Sequence, residues 1–302
     1  MPLPPLPNPT DQLEKLRRVA TAVPVSGWLF GTLMGANAVQ TASLATLPFS
    51  RRLFRKINRR MADGWWGHCV DIAHTLNKAE LVLYGDDVPY QENAIVVVNH
   101  QQMPDITWLM DLAKQKGRLG DLKWFVKDKI KWVPGVGWGM VFLDCLFVKR
   151  DWSKDEASIA ATFERILRDD VPLWLMLFPE GTRITPDKLR RSNAFAEKAK
   201  LEPTKHVLLP RTSGFAASVQ GLRTHVKAVY DVTIGYEEGV PTLWQFIQGL
   251  NRKAHLHLRR VPIEELPEDG EALGLWLQEA FRIKDKRLAY YYQRGTFDGF
   301  EG

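Results

Sequence analysis

Two kinds of apolar pattern alternate along the chain. Ala94-Ile-Val-Val-Val98 and Val171-Pro-Leu-Trp-Leu-Met-Leu-Phe178 are short, nearly unbroken runs. That pattern predicts strands buried on both faces. Each run stops abruptly in a polar turn. After the first, Ile106, Leu109, Met110 and Ala113 recur at helical spacing, and Pro104 sits where a helix begins. A missing N–H costs nothing in a first turn, so a helix is predicted over residues 104–116. Phe142–Val148 reads as a further strand interrupted by Asp144, preceded by a flexible, close-packing turn containing Pro134, Gly135, Gly137 and Gly139. Trp276–Tyr292 is amphipathic with a basic, aromatic end, and its apolar face is expected to pack on the domain. With 302 residues, the chain can bury one large α/β domain, predicted as a mixed, largely parallel sheet flanked by helices.

The N-terminal quarter has a different pattern. Residues 1–10 are Pro-rich and expected to be disordered. Asp11–Ala22 predicts a short helix. From Val25 to Leu47 no charged residue occurs, enough length for a membrane helix, which needs about 20 apolar residues. Asn37, Gln40 and several Ser and Thr residues temper its hydrophobicity, so a buried core helix is the alternative. Arg51, Arg52, Arg55, Lys56, Arg59 and Arg60 follow, most of them on one helical face, then Trp65 and Trp66. A basic helix ending in aromatics fits a membrane interface. We therefore expect an N-terminal region, 1–76, with a disordered tail and an N-terminal helical membrane-anchoring motif of two helices over residues 25–76, and a catalytic domain over 77–302. The anchor embeds in one leaflet or spans once, with the catalytic domain on the cytoplasmic face (of the inner membrane in a bacterium). Met1–Thr10 lacks the positive region of a cleavable signal peptide.

Net charge of +6 implies an acidic partner. Nucleic acid is disfavoured, because the basic residues cluster beside the apolar segment rather than with a base-stacking platform. Cys69 and Cys145 lie in apolar surroundings and read as reduced, buried thiols, not nucleophiles. His255 and His257 alternate on a predicted strand and share one face. No third metal ligand lies nearby in sequence, so a core or surface role is expected and no metal site is predicted. Gly-x-Ser-x-Gly and the glycine-rich nucleotide motifs are absent.

The chemistry concentrates in two polar turns, Asn99-His-Gln-Gln-Met-Pro-Asp105 and Phe178-Pro-Glu-Gly-Thr-Arg183. An aspartate accepting from one imidazole nitrogen fixes the tautomer and leaves the other nitrogen free to take a proton. His100 and Asp105 suit those roles, although the pair alone reads equally as a solvated histidine and an ordinary helix-start carboxylate. In the second turn Gly181 permits a tight backbone. Arg183 offers the planar fork that suits a phosphate, and Glu180 is expected to orient the turn or an acceptor hydroxyl. If the two strands are parallel neighbours, both turns meet at one sheet edge, a usual place for ligands.

The order Asn-His-x-x-x-x-Asp, then Phe-Pro-Glu-Gly-Thr-Arg, resembles the glycerolipid acyltransferase superfamily of lysophosphatidate acyltransferases. Lys127-Asp-Lys-Ile-Lys-Trp-Val-Pro-Gly-Val-Gly-Trp-Gly-Met140, closing at Val148-Lys-Arg150, is similar to its second block, and Val207-Leu-Leu-Pro-Arg-Thr-Ser-Gly-Phe215 to its fourth. Lys188, Ser192, Phe195, Ala196 and the tail Phe281–Lys286 look like the subgroup with lysocardiolipin acyltransferases and bacterial relatives. Gln101 and Gln102 depart from that subgroup, which often has a basic or small residue there.

The resemblance implies acyl transfer from acyl-CoA or acyl carrier protein to a hydroxyl of lysophosphatidate or a related lysophospholipid, with membrane phospholipid as a partner. His100 and Asp105 would be catalytic. Lys127, Arg150, Glu180, Gly181, Thr182 and Arg183 would bind substrate, Lys127 and Arg150 flanking the second block as phosphate ligands. The thioester is a co-substrate; no cofactor is required. Trp132, Val133, Val136, Trp138 and Met140 read either as core or as an acyl-chain groove. Glycerol-3-phosphate as acceptor and a non-enzymatic membrane-binding protein are the alternatives.

Overall fold

The computed structural model describes residues 4–149 and 151–300. Seven strands form one sheet in the order β1-β7-β6-β2-β5-β3-β4. They are β1 Glu80–Gly85, β2 Ala94–Val98, β3 Leu122–Lys127, β4 Leu146–Val148, β5 Trp174–Leu177, β6 Ala228–Gly235 and β7 Lys253–Pro262. The pair β6–β7 is antiparallel, and the other neighbouring pairs are parallel. This is the mixed, largely parallel sheet predicted.

Both apolar runs form central strands. Val96 and Met176 point into one core layer, Ile95 and Leu175 into the other, and all of β2, β5 and β6 is buried. A strand covered on both faces needs apolar residues at every position, which is why these runs do not alternate. Helices α3 (Asp105–Gln115) and α8 (Leu243–Ile247) cover one face; α5 (Trp152–Arg168), α7 (Ser213–Leu222) and α9 (Gly270–Arg294) cover the other. Helix α9 buries Leu273, Leu277, Phe281, Leu288 and Tyr291, so the amphipathic tail packs on the domain as expected.

The N-terminal segment differs from its reading: within residues 1–10, expected to be disordered, Leu6 is buried, its N–H donates to Val240 O (3.0 Å) and its carbonyl accepts from Gln245 Nε2 (2.8 Å), so the described part of the tail docks on the domain. A single helix, α1, runs Gln12–Ala42 straight through Pro24, with the Asp11 carboxylate capping Leu13 and Glu14 N–H. Pro24 denies a hydrogen bond to the carbonyl of Ala20, which is solvent-exposed, so the helix survives there. Helix α2 (Arg51–Asn77) divides its loyalty. Its second half buries Ala62, Trp66, Val70 and Ala73 in the sheet's core layer, and His74 bridges Ala79 O and Asp111 at 2.7 Å each. Within the basic run, Arg59 pairs with Asp121 (2.5 Å) and Arg55 with Asp169 (2.9 Å). Trp65 Nε1 donates to Thr32 Oγ1 (3.3 Å), and Trp28 Nε1 to His68 Nε2 (2.7 Å), tying α1 to α2.

The second block corrects two expectations. Residues Val136–Phe142 form a short helix, α4, where a flexible turn and the start of a strand were predicted. Asp144 then adopts a left-handed backbone (φ 57°), and β4 begins only at Leu146. Close packing accounts for the glycines as expected, and Gly135 also takes a left-handed backbone (φ 79°) at the start of α4. A Cβ on Gly135 would lie 2.7 Å from Leu33 Cδ2, and one on Gly137 would strike the carbonyl of Ile130. Trp132, Val133, Val136 and Trp138 are exposed rather than core.

Candidate active site

Three adjacent parallel strands, β6, β2 and β5, end at one edge of the sheet, and each delivers a polar turn there. The register pairs Val97 with Leu177, so His100 and Glu180 leave their strands side by side. His100 N–H donates to Glu180 Oε1 (2.9 Å), and Ile184 N–H to His100 O (2.9 Å), locking the two turns together.

Within the first turn, His100 Nδ1 lies 2.9 Å from Asp105 Oδ2. That oxygen also accepts from the backbone N–H groups of Gln101 (2.7 Å) and Gln102 (2.9 Å). The other oxygen, Oδ1, accepts from Tyr236 Oη at 2.6 Å. Asp105 is fully buried, so four donors replace its hydration. A carboxylate held this way has one orientation. It accepts a hydrogen bond from Nδ1–H and leaves Nε2 as the proton acceptor. Nε2 has no hydrogen-bond partner among the described residues. The imidazole is stacked on Phe178 (centroids 4.1 Å, 24° apart), and Phe178 on Trp124 (6.3 Å, 18°). The ring is therefore fixed by its face as well as its edge.

Glu180 points inward. It is 4% exposed, and its second oxygen accepts from Leu208 N–H at 3.3 Å. Burial pushes its carboxyl up to about 8, against the pull of the two backbone donors. Its geometry braces the turn and offers little to a ligand. Beneath it lies an enclosed ion cluster. Lys284 of α9 pairs with Asp231 and donates to the carbonyls of Val232 (2.6 Å) and Val97 (3.3 Å), while Arg287 donates to Thr233 Oγ1 (2.9 Å). Burial pulls the Lys284 ammonium down to about 8 although Asp231 opposes it.

Cations gather on the open side. Arg183 Nη1 reaches across to the Gln102 side chain, so the guanidinium overhangs the His100 turn. Lys188 Nζ, from α6 (Pro186–Lys198), donates to Thr182 Oγ1 (2.7 Å) and Arg183 O (3.0 Å). Gly181 has φ +68°, and a Cβ there would lie 3.5 Å from Arg211 Nε, so the exposed Arg211 guanidinium closes over the turn. Lys127 ends β3 at the same edge, beyond β5, exposed and without a contact to His100 or Arg183 among the described residues. Arg150 lies outside the described residues.

The structure thus brings His100, Asp105, Glu180, Gly181, Thr182 and Arg183 into one cleft edge. Sequence reasoning did not find Tyr236, 131 positions from the carboxylate it serves. The one available signal was that it follows the third strand ending at that edge. Gln101 and Gln102, the departures from the subgroup's pattern, are both used. Gln101 is buried, donates to Ile234 O (2.6 Å) and accepts from Tyr292 (3.3 Å), while Gln102 holds Arg183. Cys145 is buried beside Lys123, and burial raises its thiol to about 11, far from a thiolate. His255, on β7, packs between Tyr84 of β1 (3.0 Å to its hydroxyl) and Tyr291 of α9.

Residues 80–237 match the family model described as acyltransferase, and residues 245–301 that described as acyltransferase C-terminus. The chain belongs to the acyltransferase family. It is 35% identical over 268 residues to 1-acyl-sn-glycerol-3-phosphate acyltransferase 3 of Arabidopsis thaliana, covering 84% of this chain and 69% of that one. It is 34% identical over 266 residues to the delta 1-acyl-sn-glycerol-3-phosphate acyltransferase of Homo sapiens, covering 86% and 70%. The crystal structure of PlsC, the 1-acyl-sn-glycerophosphate acyltransferase of Thermotoga maritima, shares the fold. The TM-score is 0.53 at 18% identity, over 91% of this chain and 98% of that one. This acyltransferase places its His100–Asp105 pair at the C-terminal ends of the paired parallel strands β2 and β5.

Proposed function

We propose that this acyltransferase moves a fatty acyl group from a thioester, acyl-CoA or acyl carrier protein, onto the free hydroxyl of lysophosphatidate (1-acyl-glycerol-3-phosphate) or a related lysophospholipid. The observation that carries this reading is one arrangement: an imidazole fixed at Nδ1 by a fully buried aspartate, with Arg183 overhanging the same turn. The relatives' names support lysophosphatidate as acceptor.

The geometry of His100, Asp105 and Arg183 supports the following chain of events. Arg183 binds the acceptor's phosphate by paired charge-assisted hydrogen bonds, with Lys127 and Arg150 as further cations. The acceptor hydroxyl gives its proton to His100 Nε2 as its oxygen bonds to the thioester carbonyl carbon. The developing imidazolium is stabilised by Asp105. The tetrahedral adduct collapses, the carbon–sulfur bond breaks, and the thiolate takes the proton back from His100. No acyl-enzyme forms, because the hydroxyl attacks directly, and the thioester is consumed without a cofactor. Glu180 and Gly181 position the turn. Thr182 holds Lys188 beside it.

The substrate is a membrane lipid, and α1 is long and apolar enough to cross a membrane, with only 11% of its apolar window buried. We place the apolar stretch of α1 from Val25 onward in one leaflet, the basic first turns of α2 at the headgroups and the catalytic domain on the cytoplasmic face; the bonds from Leu6 N–H to Val240 O (3.0 Å) and from Arg18 Nη1 to Gln248 O (3.0 Å), which hold the start of α1 on the domain, support a single-leaflet seat. The subgroup resemblance leaves the head group to experiment. Purified enzyme given a radiolabelled acyl thioester should acylate lysophosphatidate. Acylation of glycerol-3-phosphate alone would assign the other acceptor, and no acylation of any glycerolipid would refute the reading.

A further inference from the structure

Between Lys127 and Arg150, the exposed apolar residues of the second block have no role in the mechanism above. We propose that Asp128–Val141 is a second lipid-inserting element, continuous with α1, that seats the catalytic edge on an anionic bilayer. This rests on the membrane reading of α1 and goes beyond it, since the segment lies far downstream of the anchor.

The single-turn helix Asp128–Trp132 and α4 carry an apolar surface that the protein itself leaves uncovered. Trp132 is 75% exposed, Val141 52% and Trp138 43%, with Val133 and Val136 similarly open. A patch of this kind marks an interaction surface, and tryptophan is the residue that favours the membrane–water boundary. The patch is continuous with α1. Gly135 packs on Leu33 and Met34, and Gly139 lies 3.3–3.6 Å, by its absent Cβ, from Gln40 and Asn37. α4 therefore approaches the C-terminal half of α1 backbone-close. At its other end Phe142 meets Phe54 of α2 (6.3 Å, edge to face). That contact places α4 next to the basic first turns of α2, with Arg51, Arg52 and Lys56. Lys129 lies in the turn itself, and Lys131 stands over Trp132 (5.6 Å) while paired with Asp128 (2.7 Å). Apolar tips ringed by cations match a bilayer with anionic headgroups rather than a neutral protein surface. The turn begins where β3 ends at Lys127, so an element held in the headgroup layer sets the active edge at that level.

The test uses the full chain reconstituted in vesicles of phosphatidylcholine and phosphatidylglycerol. Bimane is attached at Trp132→Cys, at Phe30→Cys on α1, or at Leu275→Cys on the far face of the domain, in a Cys69→Ala background; Cys145 is buried. Lipids with brominated acyl chains should quench the probes at 30 and 132 and spare the one at 275. Quenching at 30 without quenching at 132 overturns the inference and leaves the anchor standing. Quenching at neither overturns both. A probe at 132 that is shielded from lipid but transfers energy to a labelled second copy makes the face a chain–chain contact instead. The double variant Trp132→Ser/Trp138→Ser should remain vesicle-bound yet turn over embedded lysophosphatidate about tenfold more slowly. Its turnover of a monomeric short-chain acceptor should be unchanged. Equal loss on both acceptors would contradict a seating role.

Discussion

The edge formed by β6, β2 and β5 and the surface formed by α1 and α4 are opposites. At the edge every polar group of Asp105 is engaged, Glu180 is saturated by backbone donors, and an aromatic stack immobilises the imidazole. On the helical surface Trp28, Phe30, Phe49 and Trp132 stand more than half exposed. One region is complete within the chain; the other is complete only when something apolar covers it. The difference teaches where each kind of selection acts. Proton transfer needs atoms fixed to tenths of an ångström, whereas a lipid-facing surface needs only composition and shape.

Substitutions at the edge should therefore act on chemistry, and those on the helices on delivery. The largest effect is expected from Asp105→Asn. An amide in place of the carboxylate presents a donor to backbone N–H groups and no longer fixes the tautomer, so kcat should fall about 10³-fold or more with KM little changed. Steady-state rates on purified enzyme would show it, and a loss under tenfold would place the pair outside the chemistry. Arg183→Ala comes next. KM for the acceptor should rise about tenfold or more, the loss of a charge-assisted contact, with kcat less affected; unchanged acceptor kinetics would remove Arg183 from phosphate binding. Tyr236→Phe deletes one hydroxyl from the buried carboxylate and should lower kcat about tenfold, near 1.4 kcal/mol, without altering KM. An unchanged kcat would make Tyr236 a packing residue.

A different kind of effect is on stability. Glu180 is protonated more readily in the folded state (up to about 8) than unfolded (4.5). The folded state therefore binds more protons between those values, and this group's contribution to stability falls as pH rises through that window. In Glu180→Gln that decline should vanish. Denaturation midpoints of both proteins at about pH 5 and pH 8 measure it; identical slopes would contradict the burial argument.

Much of this was legible in the sequence because it depends on local pattern. β2 appears at its predicted bounds, the following helix starts within one residue of Pro104, and the two motif turns are neighbours because both preceding strands are buried on both faces. Illegible parts depend on distant contacts. Tyr236 and the ion cluster of Asp231, Lys284 and Arg287 join β6 and α9 to the edge, and no spacing rule connects them. Gly135 and Gly139 of the second block read as a turn because their small size serves contact with α1, a partner about a hundred residues earlier whose packing no local window contains. The short helix expected over Asp11–Ala22 and the apolar span from Val25 form one helix, because the charged first turns and the apolar remainder differ in side chains while Pro24 leaves only an exposed position without its hydrogen bond.

The most direct measurement is acyl transfer to lysophosphatidate by His100→Ala, made alongside vesicle binding by the same preparation. The account predicts normal binding and a rate about 10³-fold or more below the unsubstituted enzyme. Undiminished turnover by a vesicle-bound His100→Ala enzyme would contradict it.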